Sequence, residues 1–123
     1  MINIVLIDDN DDIRDLVIAF LPKESYSIFS THSGKVGIDY IKNNPVDLLI
    51  TDIVMPEING LQVISKIITI KPNVKIMAIS MGGIVSANQY LALATGLGAH
   101  KVLLKPFIQE DLLCALKELF PEA

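Results

Sequence analysis

LLITDIVMPEING, residues 48–60, runs four apolar or β-branched residues into an aspartate and then into a turn-rich segment holding Pro56, Asn59 and Gly60. Leu48, Leu49, Ile50 and Thr51 read as a strand buried on both faces, because an apolar run without alternation is what a parallel strand covered by helices requires. Asp52 is the difficulty. A carboxylate at a strand end ordinarily caps the next helix or opens a turn, and that role has to be outweighed before Asp52 is given any chemistry.

Similar runs recur. INIVLI (2–7), YSIFST (26–31), DLLIT (47–51), VKIMAIS (74–80) and KVLL (101–104) read as five strands. Between them, apolar residues fall at helical spacing: Ile13, Leu16, Val17, Phe20 and Leu21; Val36, Tyr40 and Ile41; Leu61, Ile64, Ile67 and Ile68; Leu112, Leu116 and Leu119. Residues 86–97 are also helical in pattern and carry no charge. Strict alternation of strand and helix implies βαβ crossovers, so the expected fold is α/β, a doubly wound parallel sheet with helices on both faces.

Composition narrows the function. At 123 residues, with 51% hydrophobic and 20% charged, the chain has room for one packed core, and residues 1–123 are expected to form one domain. A net charge of −4, a single arginine (Arg14) and nine scattered lysines argue against a nucleic-acid surface, which needs clustered cations to neutralise phosphates. No apolar run reaches the length of a membrane span, and the acidic start MINIVLIDDNDD is unlike a signal peptide, so a cytoplasmic protein is expected. Cys114, the one cysteine, falls among apolar residues and reads as a small core residue. His32 and His100 lack a second ligand at metal spacing.

In a doubly wound sheet, ligands bind beyond the carboxyl ends of the strands. Asp8 and Asp9 follow the first strand, Asp52 the third, Ser80 ends the fourth, and Lys105, with Pro106 behind it, ends the fifth. Each has an ordinary explanation: acidic residues and Asn10 suit a helix N-terminus, and Lys before Pro marks a chain leaving a strand. Four such accidents on one edge are improbable together. Three converging carboxylates would raise at least one pKa unless a cation compensates; Lys105 and a hard divalent ion such as Mg²⁺ would bring the formal charge to zero. An ionised Asp52 could then act as a nucleophile toward phosphorus, forming an acyl phosphate whose oxygens Lys105 and Ser80 would contact.

VLIDDNDDIRDLV (5–17), DLLITDIVMPEINGL (47–61), IMAIS (76–80) and GAHKVLLKPF (98–107) together resemble a response-regulator receiver domain over essentially the whole chain. The resemblance implies a flavodoxin-like sheet in the order 2-1-3-4-5, with Asp52 as phosphoacceptor. It also implies that Mg²⁺ is held by Asp9 directly, by Asp8 mainly through water, by Asp52, and by the backbone carbonyl of Val54. The phosphoryl group would come from a sensor histidine kinase or a histidine phosphotransfer protein, and the site would hydrolyse its own acyl phosphate. The expected function is thus a signalling switch and not an enzyme turning over a substrate.

Three positions depart from the family pattern. Val102 stands where Tyr or Phe usually reports phosphorylation by rotating inward, Met81 where a small residue is typical, and residues 80–99 form a longer, uncharged segment with the Gly82-Gly83 pair. The expectation is that the loop after the fourth strand, and not a rotating ring, carries the signal. The excess of apolar residues among Tyr90, Leu91, Leu93, Ala94 and Leu97 suggests a partner or homodimer contact on the face of the fourth helix, fifth strand and fifth helix. The chain ends three residues after Phe120, so a stand-alone receiver acting through an unknown downstream protein is expected. The rivals are a phosphorylation-independent pseudo-receiver and a haloacid-dehalogenase-type phosphatase using Asp9 and Asp11. A dinucleotide-binding reading fails because no glycine-rich turn follows the first strand.

Overall fold

The computed structural model describes residues 1–55, 58–81 and 87–121. Strands and helices alternate: β1 (Ile2–Ile7), α1 (Asp11–Phe20), β2 (Tyr26–Thr31), α2 (Gly34–Asn43), β3 (Leu48–Asp52), α3 (Gly60–Ile70), β4 (Lys75–Met81), α4 (Ala87–Leu97), β5 (Lys101–Lys105) and α5 (Gln109–Leu119). All neighbouring strands are parallel and the order is β2-β1-β3-β4-β5, the 2-1-3-4-5 arrangement expected. The first two expected strands match the observed ones, while β3 and β4 each lie one residue later than read and β5 runs one residue further.

Every residue of β3 is buried, and its pleat divides the core. Leu49 joins Val5, Ile7, Ile64, Ile67 and Ile76 on one face, under α2, α3 and α4. Leu48 and Ile50 join Ile4, Leu6, Val17, Met77, Leu112 and Leu116 on the other, under α1 and α5. Two buried faces are what an unalternated apolar strand demands.

The helical stripes needed correction in phase. Val36 and Leu16, read as core, are exposed. In α2 the buried residues are Gly34, Gly37, Ile38 and Ile41, because the helix lies so close that a methyl on Gly34 would run into Ile58 and one on Gly37 into Ile7. Cys114 is exposed, contrary to its reading as core. It falls beside the stripe of Leu112, Ala115 and Leu116 that α5 buries.

The start of β5 is tied to β4 one residue beyond the ladder. The His100 N–H donates to the Ile76 carbonyl at 2.8 Å, and the Ile76 N–H donates to His100 Nδ1 at 3.0 Å. An accepting Nδ1 requires neutral imidazole, and desolvation together with nearby Lys75 holds His100 below its ordinary 6.5. This depressed pKa makes the tether's stabilisation complete above about pH 6.5 and progressively lost as pH falls.

On α4, Ala94 is buried while Leu93 and Leu97 are exposed, next in sequence to β5, whose Val102 and Leu104 are exposed too. Pro56, the Gly82-Gly83 pair and the side chains of Met81, Tyr90 and Leu91 lie outside the described residues.

Candidate functional site

Strand register brings the polar strand ends to one edge. Ile7 of β1 pairs with Thr51, so Asp8 leaves the sheet beside Asp52. Asp52 pairs with Ile79, and the next residue, Ser80, pairs with Leu104, one short of Lys105. Asp8, Asp52, Ser80 and Lys105 are all buried, an unusual set for an apolar core unless each is paired.

Asp8 is held on every side. Its N–H donates to the Thr31 carbonyl at 3.2 Å and its Oδ1 accepts from the Asn10 N–H at 2.9 Å. Its Oδ2 accepts from Lys105 Nζ at 2.7 Å, and its carbonyl accepts from Arg14 Nη1. Lys105 Nζ also lies 3.3 Å from Asp52 Oδ2, so one ammonium bridges both buried carboxylates. The peptide between Lys105 and Pro106 is cis, and Phe107 beyond it is buried against the α1 and α5 core.

Asn10 caps α1 by accepting from the Asp12 and Ile13 N–H groups, which leaves Asp9 between a strand end and a helix start. Asp9 is exposed, and one oxygen each from Asp8, Asp9 and Asp52 lie within 4.8 Å of one another. Three carboxylate oxygens without sulfur or imidazole are a hard donor set, and with Lys105 they leave two negative charges, which suits a hard divalent ion such as Mg²⁺ better than a softer metal such as Zn²⁺ or Cu²⁺. The residues therefore fit the ion expected from the sequence. A cleft lined by Asp9, His32, Ser33, Val36, Met55 and Ile58 opens beside the cluster.

Asp52 is also fixed from the β3–α3 side. Thr51 Oγ1 donates to the Asp52 carbonyl at 2.9 Å, and the Gly60 N–H donates to the Ile53 carbonyl at 2.7 Å. Gly60 opens α3 under an Asn59–Gln62 capping box. A Cβ at Gly60 would collide with the Asp52 carbonyl, which explains a glycine at a helix start otherwise open to most residues. The side chain of Val54 is exposed, and its backbone N–H faces Asp52 closely enough to favour the charged carboxylate.

Desolvation and the neighbouring Asp8 carboxylate push Asp52 up from 3.8 to about 6, against the opposing pull of Lys105 and of the Val54 N–H. In metal-free protein, carbon NMR of the labelled aspartate carboxyls is expected to show one residue titrating near pH 6, with saturating Mg²⁺ moving it lower. A midpoint for Asp52 at the ordinary carboxylate value in the absence of metal would contradict this electrostatic picture.

Of the residues read from sequence, Asp8, Asp9, Asp52 and Lys105 come together directly, and Ser80 and Val54 stand on the same edge. Asp11, the acid of the phosphatase reading, is not among the clustered carboxylates; it pairs with Arg14 at the first turn of α1. Arg14 itself was read only as an isolated cation. Its five-residue distance from Asp9 on a helix beginning at Asp11 was the available signal that its side chain could return to the strand end.

Comparison with known proteins agrees with this geometry. The response regulator receiver domain family matches residues 4–117. CpdR, a response regulator receiver protein of Brucella abortus (strain 2308), is 31% identical over 119 residues, covering 97% of each chain. The response regulator GtcR of Aneurinibacillus migulanus is 36% identical over 104 residues, 85% of this chain but only 41% of GtcR. Thus the chain spans nearly all of CpdR and less than half of GtcR. Among solved structures, a CheY-like receiver domain protein from Methanospirillum hungatei JF-1 superposes with a TM-score of 0.88 at 25% identity, covering 99% of this chain and 95% of the other. Sequence and fold together establish that the chain belongs to the response-regulator receiver-domain family.

Proposed function

We propose that Asp52 is the phosphoacceptor of this receiver, loaded from a phosphohistidine on a sensor kinase or phosphotransfer protein, and that the acyl phosphate switches the binding of a downstream protein. The observation that carries this is the sharing of Lys105 between Asp8 and Asp52, with Asp9 alongside. In this reading an Asp52 carboxylate oxygen attacks phosphorus and forms an O–P bond. The N–P bond to the donor imidazole breaks, its electron pair stays on nitrogen, and solvent supplies the proton. Lys105 lies where it can follow the charge from the carboxylate onto the phosphoryl oxygens, and Ser80 on the adjacent strand can donate to one of them.

Asp9, Asp52 and the Val54 carbonyl would hold Mg²⁺ directly. Both Asp8 oxygens already accept protein hydrogen bonds, which suits contact through water. When bound, the ion would supply positive charge for the phosphoryl oxygens. Attack of water on the acyl phosphate would return Asp52 and inorganic phosphate, so the switch resets itself without turnover of an external substrate.

The reading extends to 1–123 as one receiver unit acting in the cytoplasm. No helix among the described residues is long and apolar enough to cross a membrane. Exposed Leu93 and Leu97 on α4 and Val102 and Leu104 on β5 support a partner or homodimer contact on the α4-β5-α5 face. With the four charged groups assembled, a phosphorylation-independent module is not favoured.

Intact-protein mass after incubation with acetyl phosphate or phosphoramidate tests the reading. Gain of one phosphoryl mass is expected with Mg²⁺, and no gain is expected in its absence or in Asp52→Asn. Labelling that persists in Asp52→Asn would place the acceptor elsewhere, and no labelling of folded protein from either donor would return the pseudo-receiver.

A further inference from the structure

We propose that Arg14 is a positioning residue for the divalent cation: its guanidinium clamps the Asp8–Asp9 peptide and thereby aims the Asp9 carboxylate into the cluster. The inference rests on the metal reading above and assigns a role to a residue that takes no part in phosphoryl transfer.

Asp9 raises a positional problem. Asp8 and Asp52 are both buried and both tethered to Lys105, but Asp9 is exposed and no hydrogen bond to its carboxylate is present among the described residues. Its place in the cluster therefore comes from its backbone. That backbone has left the sheet, since β1 ends at Ile7, and has not yet entered α1, which begins at Asp11.

Arg14 spans this gap. Nη1 donates to the Asp8 carbonyl, the oxygen of the very peptide that leads into Asp9, and Nη2 pairs with the Asp11 carboxylate on the other side. The side chain is only 15% exposed, so the fork is seated against the protein and not free in solvent. A planar guanidinium holds two acceptors in a fixed relation, which a lysine ammonium on a flexible stem does not reproduce. Asn10 adds a second restraint, its N–H bonded to Asp8 Oδ1 and its side chain capping α1. Fixing the peptide before Asp9 and the residue after it leaves the Asp9 carboxylate few directions in which to point.

Charge and position predict opposite signs. As a cation near three carboxylates, Arg14 opposes a divalent ion, and its removal would tighten metal binding. As a clamp, Arg14 favours binding, and its removal weakens it by about tenfold or more, the usual cost of losing a group that orients a metal ligand.

The test is Mn²⁺ binding followed by electron paramagnetic resonance, with Mg²⁺ competition, on the wild type, Arg14→Met and Arg14→Lys, each checked for folding by circular dichroism. Wild-type binding that weakens about tenfold in Arg14→Met, and is not restored in Arg14→Lys, supports the clamp. Binding as tight as wild type or tighter in Arg14→Met, or full recovery in Arg14→Lys, overturns it and leaves the metal reading intact. If Arg14→Met does not fold, Arg14→Lys decides alone, because the charge is kept and only the fork is lost. A folded wild type that binds neither ion overturns the metal reading, and the clamp with it.

Discussion

Asp52→Asn is expected to stabilise the metal-free protein near neutral pH, although it removes the proposed acceptor. The native environment raises the Asp52 pKa from 3.8 to about 6, so the folded state holds a proton more tightly than the unfolded chain. Stability contributed by protonated Asp52 is fully present below the unfolded value of 3.8 and is lost as pH rises through about 6. Above that range the buried carboxylate is a net cost, on the order of 2 kcal/mol. Asparagine fills the same space without the charge, and Lys105 keeps Asp8 at 2.7 Å as a partner. Thermal unfolding in a chelator should rise by roughly 5–10 °C at neutral pH, with the difference vanishing toward pH 4. Mg²⁺ should narrow the gap by stabilising the wild type more than the variant. A lower unfolding midpoint for Asp52→Asn in the chelator would show that the carboxylate is welcome in the fold and that its burial has been overread.

Lys105→Met should do the reverse, with the larger effect. Among the described residues the lysine is the one cation paired with both buried carboxylates, at 2.7 Å from Asp8 and 3.3 Å from Asp52, and its own side chain is 4% exposed. Methionine preserves the bulk and leaves two buried carboxylates facing each other. Breaking a buried ion pair from one side costs about 3–5 kcal/mol, and the lower end applies because one of the two aspartates can take up a proton. Chemical denaturation in a chelator measures the loss. The variant should bind Mg²⁺ more tightly, since one positive charge has left the cluster, and should recover much of its stability when the ion is saturating. The double variant Asp52→Asn with Lys105→Met should lose less than the sum of the singles, because the residues touch. Strict additivity would mean that the ammonium stabilises the fold by packing alone.

The strands and the clustering of the candidate site residues were legible in the sequence for one reason. A parallel strand covered on both faces is an unbroken apolar run, so the polar residue that stops it is also the residue at the ligand-binding edge. Reading β3 as a strand and reading Asp52 as special were the same act. The parts that escaped depend on contacts that apolar patterning cannot register. The close face of α2 is built from Gly34 and Gly37, which add nothing to a hydrophobic stripe, so the pattern drifted to the exposed Val36. Cys114 was misplaced because Leu112 and Leu116 fix a helix face only to within a residue's rotation. The Arg14 fork and the His100 tether join side chains to backbone, and no spacing rule distinguishes them from solvated surface groups.

Gly60 has no side chain to offer the proposed chemistry, and yet the chain can tolerate almost nothing else there, since any side chain would meet the carbonyl of Asp52. A saturation library scored by signalling output would rank it with the acidic cluster. The same library scored by folded yield would separate them: Asp52→Asn would gain and every replacement of Gly60 would lose. If Asp52 is the acceptor proposed above, mutational intolerance in this molecule has two sources side by side, one chemical and one a matter of room, and abundance tells them apart where activity does not.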